Sequence, residues 1–227
     1  MKDMNELESV LNNCLSFSKL VVKDRRELAS LAVRRTCQKS EFICWQGEIW
    51  SKVLVLVSGS LEWSMLSPQG KRQVVFRLDP VSVVWGHSVF DQEPMPASLE
   101  VMEDSEIYVW PSEIIVPIMS RNVEAVWDIT LELITMMRQV RNIVYGFAFQ
   151  PVSGRLARLL LDFYHPADGM SAERDLTLEQ MANSVGTTKE LVSKTLHRFA
   201  DEGMIEINRM QFIFKDMEGL EELASQD

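Results

Sequence analysis

The chain has 227 residues, 46% hydrophobic and 25% charged, with 23 basic against 33 acidic side chains and a formal charge of -10. That is one large domain or two ordinary ones of globular composition, which argues against disorder and against a small disulfide scaffold. No apolar run reaches the roughly 18 residues of a membrane span, and Met1-Lys2-Asp3-Met4-Asn5-Glu6 has no signal-peptide core, so the reading is a cytoplasmic protein without a membrane partner. Cys14, Cys37 and Cys44 form no CxxC pair and fit a reducing compartment. On charge alone, nucleic acid is a poor partner.

From Glu6 to Leu31 apolar residues recur at mostly helical spacing, broken by Ser and Asn, which predicts short helices. After Val33 come short runs rich in Val, Ile, Phe and Trp: 42–45, 53–57, 61–65, 73–78, 81–85 and 107–110. Turn chemistry separates them at Gln46-Gly47-Glu48, Ser58-Gly59-Ser60, Ser67-Pro68-Gln69-Gly70, Asp79-Pro80 and Glu93-Pro94-Met95-Pro96. Strands at such intervals predict an antiparallel roll or barrel.

An unbroken heptad pattern follows. Val123, Thr130, Met137 and Val144 occupy one seam position, and Val126, Leu133, Val140 and Phe147 the other. Trp127, Ile134 and Ile143 widen the stripe, so one flank is read as packing on the strand domain and the other on a partner. The chain has no second heptad helix to serve as that partner, and a parallel homodimer is the better reading than a buried intradomain helix. Gly146 and the Gln150-Pro151 step end the predicted helix and mark a domain boundary.

After a helical stretch over 155–164 and a polar loop over 165–174, Leu176 to Phe214 carries the sharpest pattern. Thr177 caps a short helix, with Gln180 completing a capping box, and Gly186 makes the turn that follows. Thr187 or Thr188 caps a second helix, Lys189 to Asp201, whose inner face is Leu191 or Val192, Leu196 and Phe199. Its outer face shows Lys189, Glu190, Ser193, Lys194, His197 and Arg198. Residues 204–207 and 211–214 alternate as a hairpin, the wing of a winged helix-turn-helix. Such a second helix enters a DNA major groove, where Glu190 accepts from a cytosine amino group and Lys194 reaches guanine, with Thr187, Thr188, Arg198 and Arg209 placed for phosphates.

The chain resembles the Crp/Fnr family of bacterial transcription regulators. The resemblance rests on the roll glycines of Trp45-Gln46-Gly47 and Val57-Ser58-Gly59-Ser60-Leu61, on Ser67-Pro68-Gln69-Gly70-Lys71 and on Arg155-Leu156-Ala157-Arg158-Leu159-Leu160. Strongest is Val185-Gly186-Thr187-Thr188-Lys189-Glu190-Leu191-Val192-Ser193-Lys194, in which Lys189 and Lys194 stand where the family usually has arginine. It implies an α+β chain: an N-terminal antiparallel β-roll (a double-stranded β-helix, cupin-like) over 1–120, a long dimerisation helix and hinge over 121–149, and a winged helix-turn-helix over 150–227. The implied partners are a two-fold symmetric double-stranded DNA site, RNA polymerase and an unknown small-molecule effector.

In the cyclic-AMP-binding members a Gly-Glu pair holds the ribose and an Arg-Ser or Arg-Thr pair the phosphate. Here those positions read Gly86-His87 and Pro96-Ala97-Ser98, and a buried phosphate without a guanidinium is poorly compensated. The expected effector segment is therefore Trp85, Gly86, His87, Ser88, Pro96, Ala97 and Ser98, with cyclic AMP disfavoured. The cysteines lack the spacing of the iron-sulfur branch, and no cofactor or metal site is predicted. The alternative readings are a haem-based gas or redox sensor using His87, which stands where the carbon-monoxide sensors of the family place an axial histidine, and an interaction module that has lost DNA binding. Cys37 and Cys44, on neighbouring predicted strands, are a candidate redox pair. The three histidines lie in separate elements without a catalytic pattern, so no enzyme is expected.

Overall fold

A computed structural model describes residues 2–167 and 169–225. Three helices come first, α1 (Lys2–Asn13), α2 (Leu15–Ser18) and α3 (Val22–Leu31). The roll follows: β1 (Val33–Cys37), β2 (Phe42–Cys44), β3 (Lys52–Leu66), β4 (Arg72–Leu78), β5 (Val83–Trp85), α4 (Ser88–Asp91), β6 (Ser98–Pro111) and α5 (Ser112–Met119). The long helix α6 (Val123–Phe149) leads to α7 (Val152–Tyr164), β7 (Ser171–Glu173), α8 (Leu178–Val185), α9 (Lys189–Asp201), β8 (Ile205–Ile207), β9 (Gln211–Phe214) and α10 (Met217–Ser225). The fold is α+β. The chain divides into two compact units, 1–69 with 75–139, and 70–74 with 140–227. Among the described residues no helix is long and apolar enough to cross a membrane.

The roll is built on the pairing of β3 with β6, antiparallel from Lys52↔Pro111 to Ser64↔Ser98. The sheet runs β1-β6-β3-β4, with β2 also on β6 and β5 also on β3. Two strands of the sequence reading, 53–57 and 61–65, are one strand, and the turn expected at Ser58-Gly59-Ser60 is a bulge. The register shifts between Leu56 and Ser58, Ser58 and Ser60, and Ser60 and Leu61. Gly59 has φ +87°, and a Cβ there would stand 2.2 Å from Ser105 Oγ, so the close approach of two strands requires glycine.

The bulge changes which side chains face inward. Before it, Leu54 and Leu56 fill the roll interior while Val53 and Val55 face the helices; after it, Leu61 and Trp63 take the interior. A two-residue period fixes the face of every side chain in a strand, so a register shift transfers the apolar set to the other side. Leu99, Val101 and Ile107 of β6 complete the interior. On the opposite face Trp85, Tyr108 and Trp110 pack with Leu7, Leu11, Phe17 and Leu28 of the first helices and with Ala125 and Ile129 of α6. The Trp110 indole N–H donates to the Leu28 carbonyl at 2.8 Å, which satisfies it in the core.

The helix α6 runs through Gly146 to Phe149, so Gly146 does not end it; the Gln150-Pro151 step does. The loop expected over 165–174, of which Asp168 lies outside the described residues, contains β7, and β7-β9-β8 form a three-stranded sheet. Leu156, Leu160, Met181, Val185, Val192, Leu196, Phe199, Phe212 and Phe214 form the core of this second unit.

Candidate nucleic-acid interface

The capping box predicted for α8 is present. The Gln180 N–H donates to Thr177 Oγ1 at 3.1 Å, and the Thr177 N–H donates to Gln180 Oε1 at 2.8 Å. Gly186 ends the helix in the left-handed region at φ +68°, and a Cβ there would meet the Phe147 ring at 2.6 Å. Of the two candidate caps for the next helix the structure selects Thr188, whose Oγ1 accepts from the Leu191 N–H at 3.3 Å. Of the two candidate inner residues it buries Val192 and leaves Leu191 40% exposed.

Lys189, Glu190, Lys194, His197 and Arg198 are exposed along α9, and Ser193 is half-buried among them. Together with Leu178 of α8 they line a groove of about 910 Å³. Glu190 lies in the first helical turn; its own backbone N–H and the Thr188 hydroxyl hold its carboxyl below the usual range, so it is a ready acceptor. Arg198 reaches Glu202 at 3.8 Å, a pair exposed on both sides that leaves the guanidinium available to an anion. Thr187 is half-buried in the turn and Thr188 exposed. Arg209 is exposed in the tip of the wing beside Met210.

Two arginines outside the predicted site hold this assembly. Arg174 donates to the Asn208 carbonyl at 3.2 Å and lies over the Phe212 ring at 5.1 Å, bracing the wing. Arg155 donates from Nε to the Val185 carbonyl at 2.9 Å and from Nη1 to Gln150 at 2.8 Å, tying the ends of α8 and α6 together. The Asn208 and Val185 carbonyls lie 34 and 30 positions from the arginines that reach them, which no local pattern reveals.

The heptad stripe of α6 is largely open. Val123 is 70% and Met137 71% exposed, and Val126, Val140, Val144 and Phe147 are exposed as well, while Thr130 and Leu133 are half-buried. Phe147 also carries the Arg155 guanidinium at 5.2 Å from its ring centre. The flank toward the roll differs from the expected one: Ala125, Asp128 and Ile129 are buried there, whereas Trp127 is 65% exposed and Ile134 is exposed too.

The expected effector segment does not converge on one cavity. Trp85 turns toward the helices, where its indole N–H donates to Glu132 Oε2 at 3.2 Å, and Ala97 turns into the roll interior. Gly86 is pressed against Trp50, whose carbonyl would be 2.5 Å from an added Cβ. Ser88 Oγ accepts from the Trp50 N–H at 3.1 Å and donates to the Glu93 carbonyl at 2.7 Å, and Ser98 Oγ accepts from the Gln46 N–H at 2.9 Å. Pro96 is exposed, and His87 is half-buried with Nδ1 covered and unpartnered. Arg77 of β4 gives its Nε to the buried Glu62 at 3.1 Å.

Cys37 and Cys44 are no redox pair in this fold. They stand opposite Ser105 and Leu99 of the same strand β6, six positions and roughly 20 Å apart at strand rise, far beyond disulfide reach. Burial pushes the Cys14 and Cys44 thiols up to about 12 and raises Cys37, which keeps all three protonated and inert.

Comparison with known proteins places both units. The model of the cyclic nucleotide-binding domain matches residues 34–122, and that of the Crp-like helix-turn-helix domain matches residues 154–223. The chain is 23% identical over 77% of its length to a CRP-like cAMP-activated global transcriptional regulator of Mycobacterium tuberculosis, covering 80% of that protein. It is 26% identical over 85% of its length to the transcriptional activator protein Anr of Pseudomonas aeruginosa, again covering 80%. FixK2 of Bradyrhizobium japonicum has a similar fold, with a TM-score of 0.73 at 17% identity over 86% of this chain and 98% of that one. Those relatives are regulators rather than enzymes. With a roll and a capped, winged reading helix in one chain, the protein belongs to the Crp/Fnr family of DNA-binding transcriptional regulators.

Proposed function

We propose that the protein acts as a homodimer on a two-fold symmetric double-stranded DNA site, reading each half-site with Lys189, Glu190, Ser193 and Lys194 while Thr187, Thr188, Arg198 and Arg209 hold phosphates. The observation that carries the reading is the exposed polar stripe of α9, capped by Thr188 and flanked by the wing. Glu190 accepts from a cytosine amino group, and Lys194 reaches guanine as a point charge rather than with arginine's bidentate fork. The open stripe of α6 supports the dimer. RNA polymerase is the proposed partner at the promoter.

The test is selection of duplexes from a random library. The wild-type protein should recover a palindromic sequence; Glu190→Ala with Lys194→Ala should lose that preference, at about 1–3 kcal/mol per base contact, while remaining dimeric by light scattering. Retained preference would show that another element reads the bases, and failure of the wild type to select any duplex would favour an interaction module.

One observation favours a second reading for the sensor. The His87 Nδ1 has no hydrogen-bond partner among the described residues, and an imidazole nitrogen is a group that haem iron takes once the surrounding segment opens to it. A Soret band on adding haem, lost in His87→Ala, would support it; an unchanged free-haem spectrum would remove it.

A further inference from the structure

We propose that His197 is a proton-coupled contact to the DNA backbone, so that α9 holds DNA more tightly when the imidazole carries a proton on both nitrogens than when it is neutral. This rests on the DNA-reading assignment above. His197 lies four residues beyond Ser193 and three beyond Lys194, on the exposed stripe that lines the groove.

The contact to Ser193 fixes which ring nitrogen of His197 carries the hydrogen. Nδ1 stands 2.7 Å from the Ser193 carbonyl oxygen. A carbonyl only accepts, so Nδ1 is the donor and the neutral ring keeps its lone pair on Nε2. A phosphate oxygen is also an acceptor, and two acceptors brought together repel. Protonation turns Nε2 into a donor and adds a positive charge, giving a charge-assisted hydrogen bond to phosphate. The contact and the proton therefore arrive together, and by linkage a lower pH strengthens binding.

The other charged groups of the groove are Lys189, Glu190, Lys194, Arg198 and Asp201 of α9, and α8 supplies the apolar Leu178. The elements packed against α9 carry Glu179 on α8, Arg155, Arg158, Asp162 and Tyr164 on α7, and Glu206 on β8, the last held by Lys215 at 3.5 Å.

The experiment measures affinity for the duplex selected by the wild-type protein, by fluorescence anisotropy across a salt series at about pH 6 and pH 8. Wild type should bind roughly threefold to tenfold tighter at the lower pH, with a plot of log affinity against log salt steeper by about one phosphate contact. His197→Gln should lose both gains yet keep the selected sequence and the dimer. His197→Lys should bind at both pH values with the steeper slope. The same pH response in wild type and His197→Gln would assign it to other groups and overturn the proposal. So would a changed base preference in His197→Gln with an unchanged salt slope, which would make His197 a reader of bases. If Glu190→Ala with Lys194→Ala loses sequence preference while His197→Gln behaves as wild type, only the His197 proposal fails.

Discussion

Glu132 shows how much one side chain of α6 is asked to do. Its Oε1 accepts from the Ser16 N–H at 3.2 Å, and its Oε2 accepts from the Ser16 hydroxyl at 2.6 Å and from the Trp85 indole at 3.2 Å, so one carboxylate joins α2, β5 and α6. Asp128, one turn earlier and buried, takes Lys19 at 2.8 Å. Burial raises the Glu132 carboxyl above its ordinary value; its hydrogen bonds oppose that without cancelling it. For an acid raised in the fold, the stability it contributes is complete below the unfolded-state value and is lost as the pH rises through the folded one. The unfolding free energy of Glu132→Gln minus that of wild type should therefore climb with pH from about 4.5 upward, read by urea denaturation at several pH values. A difference flat in pH would mean that burial costs the charge nothing. A heptad count places Glu132 beside the seam, but no local pattern names Ser16 or Trp85 as its donors. The residues of α9 contrast with this: a helix exposes them, and spacing alone puts Lys189, Glu190, Ser193 and Lys194 on its open side.

At the scale of elements, what was legible depended on whether a local signal terminates the element. Capping boxes and a left-handed glycine act within a few residues, and α8, α9, β8 and β9 stand where their caps and alternation put them. Gly59 and Gly146 show the limit. The same residue type that makes a turn elsewhere makes a bulge in β3 and sits inside α6, because what surrounds it is a long partner strand in one case and a helix already propagating in the other. The predicted seam of α6 is exposed in this chain, which makes its prediction direct: Met137→Glu with Val140→Glu places four like charges in a two-fold seam and should yield monomers by light scattering, with the helical signal retained. A variant that stays dimeric would move the interface off this stripe.

For the whole molecule the charge of -10 is a poor guide to partners. What counts for DNA is the sign near the groove, where Lys189, Lys194 and Arg198 stand against Glu190 and Asp201. Acidity elsewhere weakens non-specific binding and restricts the protein to sites it fits well. On similar local grounds the roll is expected not to take cyclic AMP. Arg77 is engaged by Glu62, and Trp63, Val75 and Phe76 pack with Ala97 and Leu99 in its interior. Excess cyclic AMP should leave Tm unchanged; a rise of several degrees, the mass-action response of a binding site, would overturn this.

Composition, periodicity and capping by themselves determined that short helices precede a strand-rich roll, the position of α9 and the existence of an apolar seam, because each is written in residues a few positions apart. Only the tertiary structure decided which faces of β3 are inside, that Cys37 and Cys44 lie too far apart to pair, that Trp85 serves the helices, and which nitrogen of His197 carries its hydrogen. The first three depend on partners tens of residues away, and the last on the rotamer a side chain adopts once its helix exists.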